Sequence, residues 1–281
     1  MTNLNRYRFY RSIKSNKLTL LGFAIIIILT VIALAAPFIA PFDPSDVHIT
    51  ERLKNPDLKY LMGTDEYGRD IFSRVIFGTR VSLQVSFLVT IISTVIGTVI
   101  GLWSGYFGGV SDFIIMRTID GLMSFPALLL SLFIMAAFGS STTNLILALS
   151  IVFIPNSARL TRNAVLTIRE LEYVESSRAC GAGTLRIMFD HILPNCIPPL
   201  IINSTVVFGY AILSEAALSF LGFGDSSISS WGAILSDGRD FIFQAPWISI
   251  YPGIAISIFV LGANLTGDGL RDILDPRMEK I

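Results

Sequence analysis

Charge is what this chain has least of. Only 15% of its 281 residues are Asp, Glu, Lys or Arg, and 52% are hydrophobic. A soluble domain carries about 25% charged residues. The mean hydropathy is +0.66. This balance excludes an aqueous globular enzyme and describes an integral membrane protein. The net charge is zero, so bulk electrostatics give no argument for nucleic acid. The two cysteines, Cys180 and Cys196, are too few and too far apart for a CxxC metal or redox motif, and they read as free thiols. The two histidines, His48 and His191, form no metal-binding cluster. Lysine is scarce too: none of the five follows a glycine, so there is no GxxxxGK[ST] phosphate loop. HExxH and GxSxG elements are also missing. The residues point to no catalytic group and no metal ligand.

What the chain has instead is long uncharged runs. Leu18 to Phe42 is 25 residues without a charge, longer than the roughly 7–15 of a signal-peptide core. An uncleaved first membrane helix over 18–40 is expected, with cleavage near Ala35-Ala36 as the alternative. Residues 1–17 hold Arg6, Arg8, Arg11, Lys14 and Lys17 and no acid. Such a basic flank stays cytoplasmic. A charged outer loop, 41–80, follows, with turn signals at Asp43-Pro44 and Asn55-Pro56 and an amphipathic end reaching Arg80. Val81 to Ser111 is uncharged and holds the second span. Its Gly97, Gly101 and Gly105 recur at the spacing that lets membrane helices approach closely.

The third span carries Arg117 and Asp120, three residues apart on one helical face. They could pair, snorkel at the cytoplasmic edge or face a conduit. Gly121 to Ala158 is 38 uncharged residues, too long for one helix, and the polar cluster from Gly139 to Asn144 divides it between spans three and four. Ile192 to Ser214 gives span five, with Glu215 near its far end. That carboxylate is either a buried functional group or, as the favoured placement, at the membrane interface. A second outer loop over 222–244 precedes span six, which begins near Pro246-Trp247. The fold class is therefore an all-α polytopic membrane protein of six transmembrane helices with both termini cytoplasmic. In that topology 14 Lys and Arg lie inside and 7 outside, the bias that orients membrane proteins. The parts are a basic N-tail (1–17), a first helix (18–40), an outer loop (41–80), a five-helix core (81–277) with a cytoplasmic segment (164–195), and a tail (278–281).

That cytoplasmic segment carries the longest charged stretch between two apolar blocks, with Glu170, Glu172, Glu175, Arg178, Arg186 and Asp190. Each charge costs roughly 2.5–3.5 kcal/mol at a bilayer centre, so the stretch leaves the lipid. Two short helices around a hinge are expected. Glu170 to Cys180 has good helix formers, with acids early and Arg178 late, as the helix dipole prefers. Gly181-Ala182-Gly183 supplies a C-terminal cap. Thr184 can cap a second helix, Leu185 to His191, ending ahead of Pro194. Ser176, Ser177 and Ala179 are small enough for another protein to approach the backbone.

The run Glu175-Ser176-Ser177, then Gly181, then Leu193-Pro194, resembles the EAA motif of ABC-importer permeases. Two serines replace the motif's alanines. His191 stands where the general motif is apolar, as in the peptide branch, whose members often read HILPN. Longer blocks extend the likeness: LMGTDEYGRDIFSRVIFGTRVSL at 61–83, SFPALLL at 124–130, SEAALSFLGFG at 214–224, SWGAILSDGRD at 230–240 and NLTGDGLRDILDPR at 264–277. They resemble the dipeptide/oligopeptide/nickel permease family, and its second, C-type permease in particular, over about Lys17 to Arg277.

The resemblance implies a type I ABC importer permease fold. It implies ATPase coupling through Glu175, Ser176, Ser177, Gly181, Leu193 and Pro194. Glu175 would hold the loop by a charge-assisted hydrogen bond or accept one from an ATPase arginine. Gly181 would permit the bend that presents the helix. The implied partners are a second homologous permease, two cytoplasmic ATPases, an extracytoplasmic substrate-binding protein and the lipid bilayer of a bacterial or archaeal cytoplasmic membrane. ATP and Mg would be used by the ATPases, with no cofactor bound by this chain. Di- and oligopeptides are the expected cargo, with nickel or a metal chelate as the alternative. A stand-alone channel or secondary transporter is the reading from another class. It would favour broken helices at mid-membrane, whereas the strongest polar feature here lies outside the lipid.

Overall fold

In hydrocarbon a backbone has no water to bond, so an uncharged run must satisfy its own N–H and C=O groups as helix. The structure is a computed structural model that describes residues 17–225 and 228–274. The basic tail expected over 1–17 (all but Lys17) and the tail expected over 278–281 lie outside the described residues. The helices are α1 (Lys17–Ile39), α2 (Ile71–Phe107), α3 (Gly109–Met123), α4 (Ala127–Phe138) and α5 (Thr142–Ile168). After them come α6 (Glu172–Ala179), α7 (Thr184–Phe220), α8 (Trp231–Gly238) and α9 (Trp247–Leu274).

Five of these, α1, α2, α5, α7 and α9, are long and apolar enough to cross a membrane. The pair α3 and α4 makes a sixth crossing only as a broken span, bent by 90°. The third span is thus two helices and not one. Pro126 explains the break, because it lacks an N–H and keeps the residue before it out of the helical region. Ser124 Oγ donates to Gly121 O at 2.7 Å and closes the end of α3.

Length places the ends. At 1.5 Å per residue, the 37 residues each of α2 and α7 extend roughly 55 Å, well beyond a hydrocarbon core of about 30 Å. α2 overruns at its N-terminus, toward loop 40–70; this end is termed outer. α7 overruns at its own N-terminus, toward α6, at the inner end. The amphipathic stretch ending at Arg80 is thus the first turns of α2 itself. Asp70 caps it, its Oδ2 accepting from the Ser73 N–H at 2.8 Å.

α2 and α5 lie against each other along the glycine stripe. A Cβ on Gly97 would stand 2.6 Å from Ser157 Cβ, one on Gly105 would stand 2.8 Å from Val165 Cβ, and one on Gly101 would overlap the Ala158 carbonyl oxygen. No side chain fits there, so the two backbones meet directly, the close approach the spacing suggested. Three apolar clusters fill the rest. The outer one gathers α1, α2, α7, α8 and α9 around Trp231 and Phe259. The middle one joins α2, α4, α5 and α7 through Val89, Met135, Leu149 and Leu218. The inner one seats α6 against α2, α5 and α7.

Candidate functional site

The inner end is assembled around one buried side chain. Val174 is the buried residue of α6, and it sits among Leu102, Val165, Ile187, Met188, Ile192 and Cys196. Tyr173 adds a polar tie, its hydroxyl accepting from Asn195 Nδ2 at 3.1 Å. Arg169, just past α5, donates to Gly105 O at 2.7 Å and fastens the start of the segment to the end of α2. Held on that one side, α6 turns the rest outward. Glu175, Ser176, Arg178, Ala179 and Cys180 are exposed, and Ser177 is half-buried. Apolar residues are exposed with them: Leu185 is 66% accessible and Phe189 54%.

Gly181 ends α6 as expected. Its φ is +80°, its N–H reaches Arg178 O at 3.0 Å, and the Ala182 N–H reaches Ser177 O at 3.1 Å. This is the left-handed cap that glycine adopts without strain. Nothing lies within 4 Å of where a Cβ would stand, so the requirement for glycine is conformational.

The second helix departs from expectation twice. Gly183, and not Thr184, occupies the cap, without a side-chain bond. The helix also does not stop before Pro194. Ile187–Ile192 forms a π turn, in which the Leu193 N–H bonds Met188 O, and the run continues as Leu193–Phe220. A π turn shifts the bonding register by one residue and absorbs the N–H that Pro194 lacks. Ile192, Cys196 and Leu200 recur every four residues and are buried, which keeps the chain helical through the prolines. Leu193 is half-buried and Pro194 exposed. The six residues singled out for coupling therefore lie on α6, on the cap after it and on the first α turn beyond the π segment. The Glu175 carboxylate makes no hydrogen bond or ion pair among the described residues, so it does not hold the loop internally.

Arg117 and Asp120 do not pair with each other. Asp120 Oδ1 accepts from Arg159 Nη2 at 2.6 Å, while the Arg117 guanidinium lies over the Phe113 ring, 5.3 Å from its centre. A second pair, missed from sequence, joins the same helices: Asp112 accepts from Arg162 Nε and Nη2 at 2.5 and 2.6 Å and from Ser104 Oγ. The usable signal was that acids on α3 and arginines on α5 sit at the same end of consecutive spans, where charged groups in membranes pair.

Glu215 is not presented at a surface; it is 1% exposed. Ser82 Oγ donates to its Oε2 at 3.0 Å and Ser219 Oγ to its Oε1 at 2.9 Å. Hydroxyls from α2 and α7 thus stand in for water, which is why the carboxylate tolerates burial. Trp231 completes the junction, its Nε1 donating to Val75 O at 3.0 Å.

The outer loops hold a charged network that sequence reasoning also missed. Asp65 is fully buried. Its Oδ1 accepts from the Tyr67 and Arg69 N–H groups, each at 2.9 Å. Its Oδ2 accepts from Arg69 Nε and Arg74 Nη1, each at 2.6 Å. Both arginines then reach Asp237 Oδ2, Arg74 at 2.8 Å and Arg69 at 3.0 Å. Gly63 and Gly68, at φ +75° and +77°, make the turns that fold the loop over Asp65. Burial, reinforced by the Asp65 and Asp237 carboxylates, raises the neighbouring Glu66 carboxyl above its ordinary value, opposed by its own N–H and by Arg69. Among the described residues, no three His, Cys, Asp or Glu side chains converge to hold a metal.

Comparison with known proteins agrees on the kind of molecule. Residues 97–280 match the family described as binding-protein-dependent transport system inner membrane component. Residues 7–56 match the N-terminal TM domain of oligopeptide transport permease C. The dipeptide transport system permease protein DppC of Alkalihalophilus pseudofirmus is 42% identical over 271 residues, covering 96% of this chain and 89% of that protein. DppC of Escherichia coli is 43% identical over 279 residues, covering 97% and 93%. Among solved structures, an inward-facing MetNI methionine ABC transporter chain superposes with a TM-score of 0.58 at 20% identity, covering 71% of this chain and 96% of that one. At that identity the likeness concerns the fold.

Proposed function

This chain belongs to the family of binding-protein-dependent transport system inner membrane components, and we propose that it forms half of the translocation pathway of an ATP-driven importer of di- and oligopeptides. The observation that carries the coupling part is the inner platform. α6 is anchored on one side, by buried Val174 and the Tyr173–Asn195 bond, presents exposed Glu175 and Ser176, and is flanked by exposed Leu185 and Phe189. A short helix with small side chains and an apolar border suits the groove of a cytoplasmic ATPase. Glu175, without a partner among the described residues, is available to accept a hydrogen bond from an ATPase arginine. Ser176 and Ser177 allow close approach, Gly181 sets the angle of α6, and Leu193 and Pro194 begin the rigid part of α7 that transmits its motion to the spans.

The inner end is then cytoplasmic, in a bacterial or archaeal cytoplasmic membrane. Two ATPases bind and hydrolyse Mg-ATP below, a second homologous permease completes the path, and an extracytoplasmic binding protein delivers cargo above. This chain performs no catalysis itself. Peptide cargo is supported by the DppC relatives, each named a dipeptide transport permease. To test the cargo, the cognate binding protein is purified from native culture and its ligand identified by mass spectrometry with metal analysis. Short peptides without stoichiometric metal are expected. Nickel or a metal-loaded chelator would refute the peptide assignment.

A further inference from the structure

A groove of about 360 Å³ opens toward the inner end between α3 and α5. Asp112, Phe113, Met116, Arg117 and Asp120 line it from α3, and Arg162 from α5. We infer that this groove is a stretch of the cargo path that holds the two charged ends of a short peptide, the carboxylate on Arg117 and the ammonium on Asp120; the inference rests on the importer reading above.

Depth argues for a path. α5 has 27 residues, roughly 40 Å at 1.5 Å each, against a hydrocarbon core of about 30 Å. Arg159 stands roughly 14 Å along α5 from Ile168. Even with the whole excess of an upright α5 at its inner end, Arg159 and its partner Asp120 lie at hydrocarbon depth. Their side chains are 43% and 48% exposed. Charged groups at that depth face a bundle interior or a water-filled cavity, and they mark substrate pathways. The break between α3 and α4 agrees. Ser124, Phe125 and Pro126 are exposed, and non-helical backbone at membrane depth is tolerated only inside protein or along a water-filled cavity.

The lining carries both signs, and part of it is uncommitted. Asp112 and Arg162 neutralise each other through their bidentate pair. Asp120 gives only Oδ1 to Arg159, and its Oδ2 has no donor among the described residues. Arg117 has no carboxylate partner among the described residues and rests on the Phe113 ring. One face of α3 therefore keeps a free guanidinium and a free carboxylate oxygen on neighbouring positions, with Cβ atoms about 5–6 Å apart. An extended dipeptide spans at most about 7 Å, so both of its ends can be met at once. A zwitterion fits this pair better than an ion of either sign, and a guanidinium binds a terminal carboxylate bidentately. Phe113 and Met116 add apolar surface, and the flexible Met116 adapts to side chains of different shape. A phosphatidylethanolamine headgroup carries the same two charges, but it stays at the membrane interface, whereas this groove reaches hydrocarbon depth.

The test uses the complete permease–ATPase complex in nanodiscs, without binding protein, so that selection by the binding protein does not enter. A dipeptide with a diazirine side chain is photo-crosslinked over a range of concentrations, beside its C-terminal amide and its N-acetyl form, and the label is located by mass spectrometry. The free dipeptide is expected to label α3 around Phe113 and Met116, and the amide to need about tenfold more peptide, the weight of a hydrogen bond to a charged group. The N-acetyl form is expected to weaken as well, which tests Asp120 without breaking its pair with Arg159. Arg117→Gln is expected to keep the wild-type unfolding temperature, since only a ring contact is lost, and to label equally with acid and amide; Arg117→Lys restores the preference for the acid. Equal labelling of the wild type by all three dipeptides, label outside α3 and α5, or an undiminished acid preference in Arg117→Gln overturns the inference. Proteoliposomes holding the wild-type complex and its binding protein separate this from the premise: no peptide accumulation there overturns the importer reading itself.

Discussion

Asp65→Ala is the substitution whose cost the structure specifies best. The side chain is fully buried and accepts four hydrogen bonds, two from main-chain N–H groups and two from guanidinium groups. Removing it leaves two N–H groups of a tight loop without their acceptor, and buried Arg74 with Asp237 as its remaining carboxylate. Breaking a buried pair by removing one partner costs about 3–5 kcal/mol. The stranded N–H groups would each add about 1–3 kcal/mol if nothing relaxed, but the loop can open to water, so the lower total is the better expectation. A loss of about 3–5 kcal/mol lowers the unfolding temperature by on the order of 10 °C. Thermal unfolding in detergent measures the total, and hydrogen exchange locates it. Exchange should accelerate over residues 60–75 and 229–240 and stay unchanged over 165–200. A melting temperature within about 1 °C of wild type, or acceleration spread evenly along the chain, would show that the network does not hold the outer loops.

Three other outcomes follow from the same geometry. Gly101→Val places side-chain atoms against the Ala158 carbonyl and Thr161; overpacking of this kind costs about 1–3 kcal/mol, and folded yield after membrane extraction should drop, whereas Gly253→Val, with open space around it, should not. Glu66→Gln should stabilise the outer loops at neutral pH. Burial raises the folded-state pKa of Glu66, so its favourable contribution is complete below the unfolded value of about 4.3 and is lost as pH rises from there through the folded value; unfolding temperatures from pH 4 to 7 should converge at the acid end. Arg162→Ala breaks the bidentate pair with Asp112 and should increase hydrogen exchange at the start of α3 while leaving α8 protected.

The sequence made the spans legible because the uncharged runs are long and their ends are marked by charge. The glycine stripe was readable for a related reason: three glycines four residues apart lie on one helical face, and that face can only meet another backbone. The cap at Gly181 was readable because a charged helix followed by Gly-Ala-Gly has few other conformations. What stayed hidden was pairing at a distance. Arg69 and Arg74 meet Asp237 and Ser82 meets Glu215 across more than a hundred residues, and no local pattern encodes that. Glu215 was weighted toward the interface because an isolated carboxylate in a span needs solvent; the hydroxyls of Ser82 and Ser219 supply the same bonds. The bend at Pro126 lay inside a 38-residue uncharged run, where hydropathy is blind to direction. The π turn was missed because its cause, Pro194, reads as a stop when only the α register is considered.

The central claim is that the exposed α6 platform transmits ATP hydrolysis to the spans. The most direct measurement reconstitutes the complete complex with its binding protein in proteoliposomes and follows peptide accumulation and ATP hydrolysis together in wild type and Gly181→Asp. Aspartate at a φ of +80° is strained by about 1–3 kcal/mol and re-aims α6, but it meets no neighbour, so membrane insertion should survive. The account predicts normal expression, persistent ATP hydrolysis and accumulation reduced to background. Wild-type accumulation by Gly181→Asp at equal expression would contradict it.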